Sequence, residues 1–179
     1  MRGALAVIAL VAAGGCGGSP PASRTESWLE AAWTGSDTGR ISAAAVAEWC
    51  DTLRLLEVRA IQGDSGLALA IYPSDTVAPG QYRVRPPGRA DSIRPGAGVA
   101  VRWFGELAIS GFRGDSGAVV LAGAGAGAPL SGSFEARARA LGGSGRLTVR
   151  GSFGGLTVRS ASPGCAGQVE SPSADTGVN

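Results

Sequence analysis

Two copies of Gly-Asp-Ser-Gly, at residues 63–66 and 114–117, place a hydroxyl among small residues. A serine hydroxyl becomes a nucleophile only when a neighbouring base takes its proton. The chain has no His, and all 16 of its basic residues are Arg, so neither a His base nor a Ser–Lys dyad exists. Both copies therefore read as turns, with Asp and Ser bonding the local backbone and Gly taking the left-handed position. Their similar flanks would suit a repeated hairpin.

Other chemistries fall away on the same inventory. Zinc needs more His and thiolate ligands than three Cys supply. Asp64, Asp75, Asp91 and Asp115 show no calcium-loop spacing. The Gly-Ala run at 123–128 lacks the lysine and following helix of a phosphate-binding loop, and reads as a flexible connection. Paired-carboxylate hydrolysis would need two of Glu48, Glu57, Glu106 and Glu135 across a cleft. Trp49, Trp103, Tyr72 and Tyr82 could stack on sugars, although aromatics at strand positions usually belong to a core. No catalytic residue, metal site or cofactor is expected, and a net charge of +2 carries no nucleic-acid footprint.

Four of the 16 arginines stand in a central hairpin, residues 130–153. Phe134, Ala136, Ala138 and Ala140 alternate with Glu135, Arg137 and Arg139, and Leu147, Val149, Gly151 and Phe153 alternate with Thr148, Arg150 and Ser152. A period of two marks half-buried strands. With residues 142–145 as the loop, Phe134 faces Phe153, Ala138 faces Val149 and Arg137 faces Arg150. The like-charge pair calls for compensation, by Glu135 and solvent or by a bound anion. Arg137, Arg139 and Arg150 thus form a candidate anion or partner face.

The beginning of the chain carries a second chemistry. Met1 and Arg2 precede an uncharged apolar run that ends in Ala13-Gly14-Gly15-Cys16. This resembles the signal peptide and lipobox of bacterial lipoproteins. The resemblance implies cleavage before Cys16, a diacylglycerol on its thiol, and a membrane partner through that lipid. Gly17 follows, with no acidic inner-membrane retention residue, which points to the outer membrane in a diderm cell. Cys50 and Cys165 remain as an even pair, a disulfide candidate in an exported chain.

The organisation that follows is a signal peptide over 1–15, a tether over 16–40, a β domain over 41–165 and a disordered tail over 166–179. Ser27 and Glu30 fit a capping box, so the tether has room for a short helix before Gly35, too short to be stable alone. Residues 43–50 stay open between strand and helix. In the next hairpin Val58 is expected opposite Ile71 and Ala60 opposite Leu69. Further segments at 81–85, 98–104, 107–113, 118–121 and 156–159 complete many short strands punctuated by Gly and Pro. The fold class is all-β, an antiparallel β-sandwich or partly closed barrel of about 8–10 strands.

With the Trp49-Cys50 pair and the closing Ser-Gly-Ser-Phe and Gly-Ser-Phe arms, the chain resembles uncharacterised bacterial lipoproteins that end in paired β arms. That likeness implies no activity. The leading expectation is a non-catalytic, extracytoplasmic envelope module that meets an envelope protein or polysaccharide. A carrier with a barrel-like cavity and a hydrolase built on carboxylates are the alternatives.

Overall fold

Alternating apolar and polar side chains give most strands of this chain one oily face, and a sheet that closes on itself hides all those faces at once. The computed structural model describes residues 26–87, 89, 92–105, 108–124 and 128–161, and these form strands and connections with no helix. The strands are β1 (Trp28–Gly35), β2 (Gly39–Cys50), β3 (Leu55–Gln62), β4 (Ser65–Tyr72), β5 (Gly80–Arg83), β6 (Gly96–Phe104), β7 (Ile109–Gly123), β8 (Leu130–Ala140), β9 (Arg146–Leu156) and β10 (Val158–Ser160).

Strands β1, β2, β3, β4, β6, β7, β8 and β9 each pair antiparallel with the next, and β9 returns to β1. The result is an eight-stranded barrel with β5 and β10 outside that circuit. Closure rests on β1, whose Ala31 opposes both Ile41 on β2 and Gly151 on β9.

The expected helix before Gly35 is therefore strand β1. Leu29, Ala31 and Trp33 are buried at alternate positions, a period-two signal stronger than the capping box. The residues of that box bond elsewhere: Ser27 Oγ donates to the Gly155 carbonyl at 3.2 Å, and Ser42 Oγ lies 3.2 Å from a Glu30 carboxylate oxygen across β1–β2. Residues 43–50 are likewise strand, so the folded unit begins before residue 41.

Both expected hairpins form, each slipped by two residues. Val58 opposes Leu69 and Ala60 opposes Leu67, because Gly63 and Asp64 alone make the turn, Gly63 at φ +55°. Ala136 opposes Val149, Ala138 opposes Leu147, and Phe134 opposes Gly151. Arg137 consequently faces Thr148, while Arg150 faces Glu135. A slip of two keeps every side chain on its expected face.

The second Gly-Asp-Ser-Gly is not a turn. It is a bulge within β7, where the register with β8 shifts between Gly114 and Ser116. Gly117 there has φ +123°, and a Cβ on it would meet the Glu135 carbonyl oxygen. Before the bulge β7 pairs with β6; beyond it β7 pairs with β5. Strand β5 is thus a wedge that enters where β6 and β7 part, and Val84 bridges it to Ala97.

The interior is a packed core. Leu56, Val58, Leu69, Ile71, Val99, Val101, Val149 and Phe153 belong to one buried cluster that draws on every strand of the circuit. Eight strands enclose just enough room for side chains to fill. At the end bearing the β1–β2 and β6–β7 connections, Trp33 stacks on Trp103 and Trp103 on Phe112, with centroids 5.7 and 5.3 Å apart. Charged side chains face outward, the inverse of the apolar exterior and polar lumen of a barrel embedded in lipid.

Candidate binding surfaces on the outer wall

Since the inward positions are given over to packing, reactive and charged side chains stand on the outer wall. Among the described residues no three His, Cys, Asp or Glu side chains are grouped to hold a metal. No helix among them is long and apolar enough to cross a membrane.

The first surface is the face of β8 and β9. It brings Arg137, Arg139 and Arg150 onto one wall, as their alternation requires. Arg150 lies 3.0 Å from Glu135, and both are well exposed. Arg139 sits 3.6 Å and Arg146 3.7 Å from the same Asp115 oxygen. Arg139 is directly opposite Arg146 on β9 and Arg113 on β7, and Asp115 of the β7 bulge lies between Arg139 and Arg146 as compensator. Arg137 alone of the three forms no ion pair among the described residues. An acidic partner would therefore find Arg137 open and its neighbours already engaged.

The second surface was not legible as a site in the sequence. It is a trough along the outside of β3, β4, β6 and β7. Its floor is made of small outward residues of β4 and β6. In one row across the sheet Glu57 opposes Ala70, and Ala70 opposes Gly98. In the next, Arg59 opposes Ala68, Ala68 opposes Ala100, and Ala100 opposes Arg113. With strands about 4.8 Å apart, the charged walls rise on either side of a floor roughly 14 Å wide at the backbone. One half holds a cavity of about 310 Å³ lined also by Tyr72, Arg85 and Pro87. An adjoining one of about 700 Å³ runs on to Arg102 and Leu141.

The walls differ in charge. On β3, Arg59 lies 2.9 Å from Glu48 and 3.7 Å from Glu57. Those two acids are directly opposed across β2 and β3. One guanidinium holds both, so they form a compact charge cluster. On the far wall Arg85 and Arg113 meet no carboxylate among the described residues. Arg85 is positioned by its backbone N–H, which donates to the Ala97 carbonyl at 2.9 Å, while its Nε is shielded from solvent and has no hydrogen-bond partner.

Other expected candidates are accounted for locally. Asp75 pairs with Arg54 at 3.1 Å. Tyr82 is buried, its hydroxyl donating to the Ala78 carbonyl at 2.9 Å. Trp103 belongs to the aromatic stack, and Trp49 donates to Asp51. Of the proposed sugar platform only Tyr72 faces the trough. Cys16, Cys165, Asp91, Glu106, the signal peptide and the tail lie outside the described residues, as does half of the Gly-Ala run, residues 125–127. Cys50 is buried at the end of β2.

Comparisons with protein-family models, with curated proteins and with solved structures found no match to this chain.

Proposed function

We propose that this protein is a lipid-anchored, extracytoplasmic module whose closed β-barrel is displayed for binding and performs no reaction of its own. The observation that supports this reading is the division of labour in the barrel: an interior filled by aliphatic and aromatic packing, and an outer wall with two arginine-bearing surfaces. A carrier with its ligand inside the strands finds little support, because the Trp33–Trp103–Phe112 stack and the aliphatic cluster occupy that space. Residues before the barrel supply the anchor in this reading, with Cys16 acylated. Several acyl chains hold stably where one holds only marginally.

Two measurements test it. Mass spectrometry of the mature protein from cells should find the chain beginning at Cys16 with lipid attached, and Cys16→Ser should release it from the membrane fraction. Photo-crosslinking side chains placed in turn at Arg137 and Arg102 should join the protein to an envelope protein or polysaccharide. An unprocessed, unacylated chain in the cytoplasm would rule the reading out.

A further inference from the structure

We infer that the Arg85–Arg113 half of the outer trough is a binding site for a small organic anion, a carboxylate carried on a slim apolar body. This rests on the reading of the barrel's exterior as its working surface, and it specifies the ligand chemistry.

Three observations converge. The cavity of about 310 Å³ is of small-molecule size. Its floor, Ala68, Ala70, Gly98 and Ala100, presents only methyl groups and backbone, which suits an unbranched or flat body lying against it. Along one edge stand Arg85 and Arg113, neither ion-paired among the described residues, and the shielded Arg85 Nε lacks an acceptor. The planar guanidinium fork matches a carboxylate in two-point geometry. Glu57, the acid lining the same cavity, stands on the opposite wall 3.7 Å from the Arg59 guanidinium, which offsets its charge. The ligand's carboxylate belongs at Arg85 and Arg113, and its body lies across the alanines toward Tyr72.

The test is NMR titration of the folded chain with sodium octanoate, following the methyl signals of Ala68, Ala70 and Ala100 and the Gly98 amide. Saturable shifts confined to these residues are expected, with a dissociation constant on the order of 1 mM or tighter. Octylamine, with the same body and opposite charge, should leave them unmoved, and acetate should bind far more weakly than octanoate. Arg85→Gln and Arg113→Gln, made separately so that either can be read if the other misfolds, should each weaken binding about tenfold. Ala70→Leu should fill the floor and abolish binding while the melting temperature holds. Arg137→Gln, on the other surface, should change nothing. The inference is overturned if octanoate moves none of these signals, if octylamine moves them equally, or if both arginine variants bind like the parent protein. Crosslinks that persist from Arg137 alongside a silent trough would remove this inference and leave the display reading intact.

Discussion

The indole of Trp33 on β1 stacks on that of Trp103 on β6, with ring centroids 5.7 Å apart and planes 12° from parallel. These strands are diametrically opposite in the circuit β1-β2-β3-β4-β6-β7-β8-β9, so the contact spans the barrel and plugs one end of it. Gly39 on β2 makes room for the plug, since a Cβ there would lie 2.4 Å from the Trp33 ring.

Trp33→Ala should destabilise the fold by about 3–5 kcal/mol in urea denaturation, the range for removing a large buried aromatic. Trp33→Phe should recover much of that loss. A cost for the alanine variant no larger than an ordinary surface substitution, within about 0.5 kcal/mol, would show that the plug contributes nothing to closure.

The sequence reveals faces more readily than registers, and this barrel shows why. Burial acts on each side chain separately, so alternation at Phe134, Ala136 and Ala138 announces an inward face whatever strand lies beside it. A slip of two residues leaves that face unchanged, and only the turn can choose between the two pairings. In the β3–β4 hairpin Gly63 accepts a left-handed φ, which allows a two-residue turn where four residues looked suitable. In β8–β9 the Ala140 N–H donates to the Gly145 carbonyl, and the Leu141 N–H leaves for Gly111 on β7. Long-range pairing also decided β1: one of its two partners, β9, is far along the chain, so local capping signals outvoted a three-residue alternation. The trough was invisible for the same reason, because Glu57, Ala70, Gly98 and Arg85 become neighbours only across strands.

The β7 bulge makes a sharp contrast between glycines. Gly117 has φ +123° and a substituent there would strike the backbone of Glu135, whereas Gly142 in the β8–β9 turn faces open space. Gly117→Ala should cost about 2 kcal/mol or more, through strain and the displaced ladder. Gly142→Ala should lie within about 0.5 kcal/mol of the parent. Equal costs, read from thermal or urea unfolding, would mean that the second Gly-Asp-Ser-Gly behaves as an ordinary exposed turn.

Arg94 should act as a staple at the end opposite the aromatic plug. Its guanidinium donates to the carbonyls of Leu53, Arg54 and Pro73 at 2.8, 2.9 and 3.3 Å and lies over the Tyr72 ring at 5.6 Å. It thereby ties the β2–β3 turn to the connection after β4. Arg94→Ala should speed hydrogen exchange in residues 51–55 and 72–74 while the β8–β9 amides keep their protection, at a stability cost of about 1.5–3 kcal/mol. Arg94→Lys should rescue it only partly, since an ammonium cannot present the same planar fork. Uniformly faster exchange across the barrel would instead place Arg94 in the global core of stability.

The expected bond between Cys50 and Cys165 gains support from the path of the chain after the barrel. Strand β10 runs parallel to β2 beside Ala47, Glu48 and Trp49, and the Ala161 N–H donates to the Trp49 carbonyl at 2.8 Å. The chain at Ala161 thus lies next to Cys50, which is only 3% exposed. Roughly four further residues, at about 3.3–3.6 Å each, are ample to bring Cys165 to it. A crosslink over so long a loop should stabilise the fold by roughly 4–5 kcal/mol in the chain-entropy model. Proteolytic peptides of the protein isolated from cells should show Cys50 joined to Cys165 before reduction and separate after it. Reduction, or Cys50→Ser, should lower the urea midpoint accordingly. Detection of both thiols as free in the folded protein isolated from cells would exclude the bond.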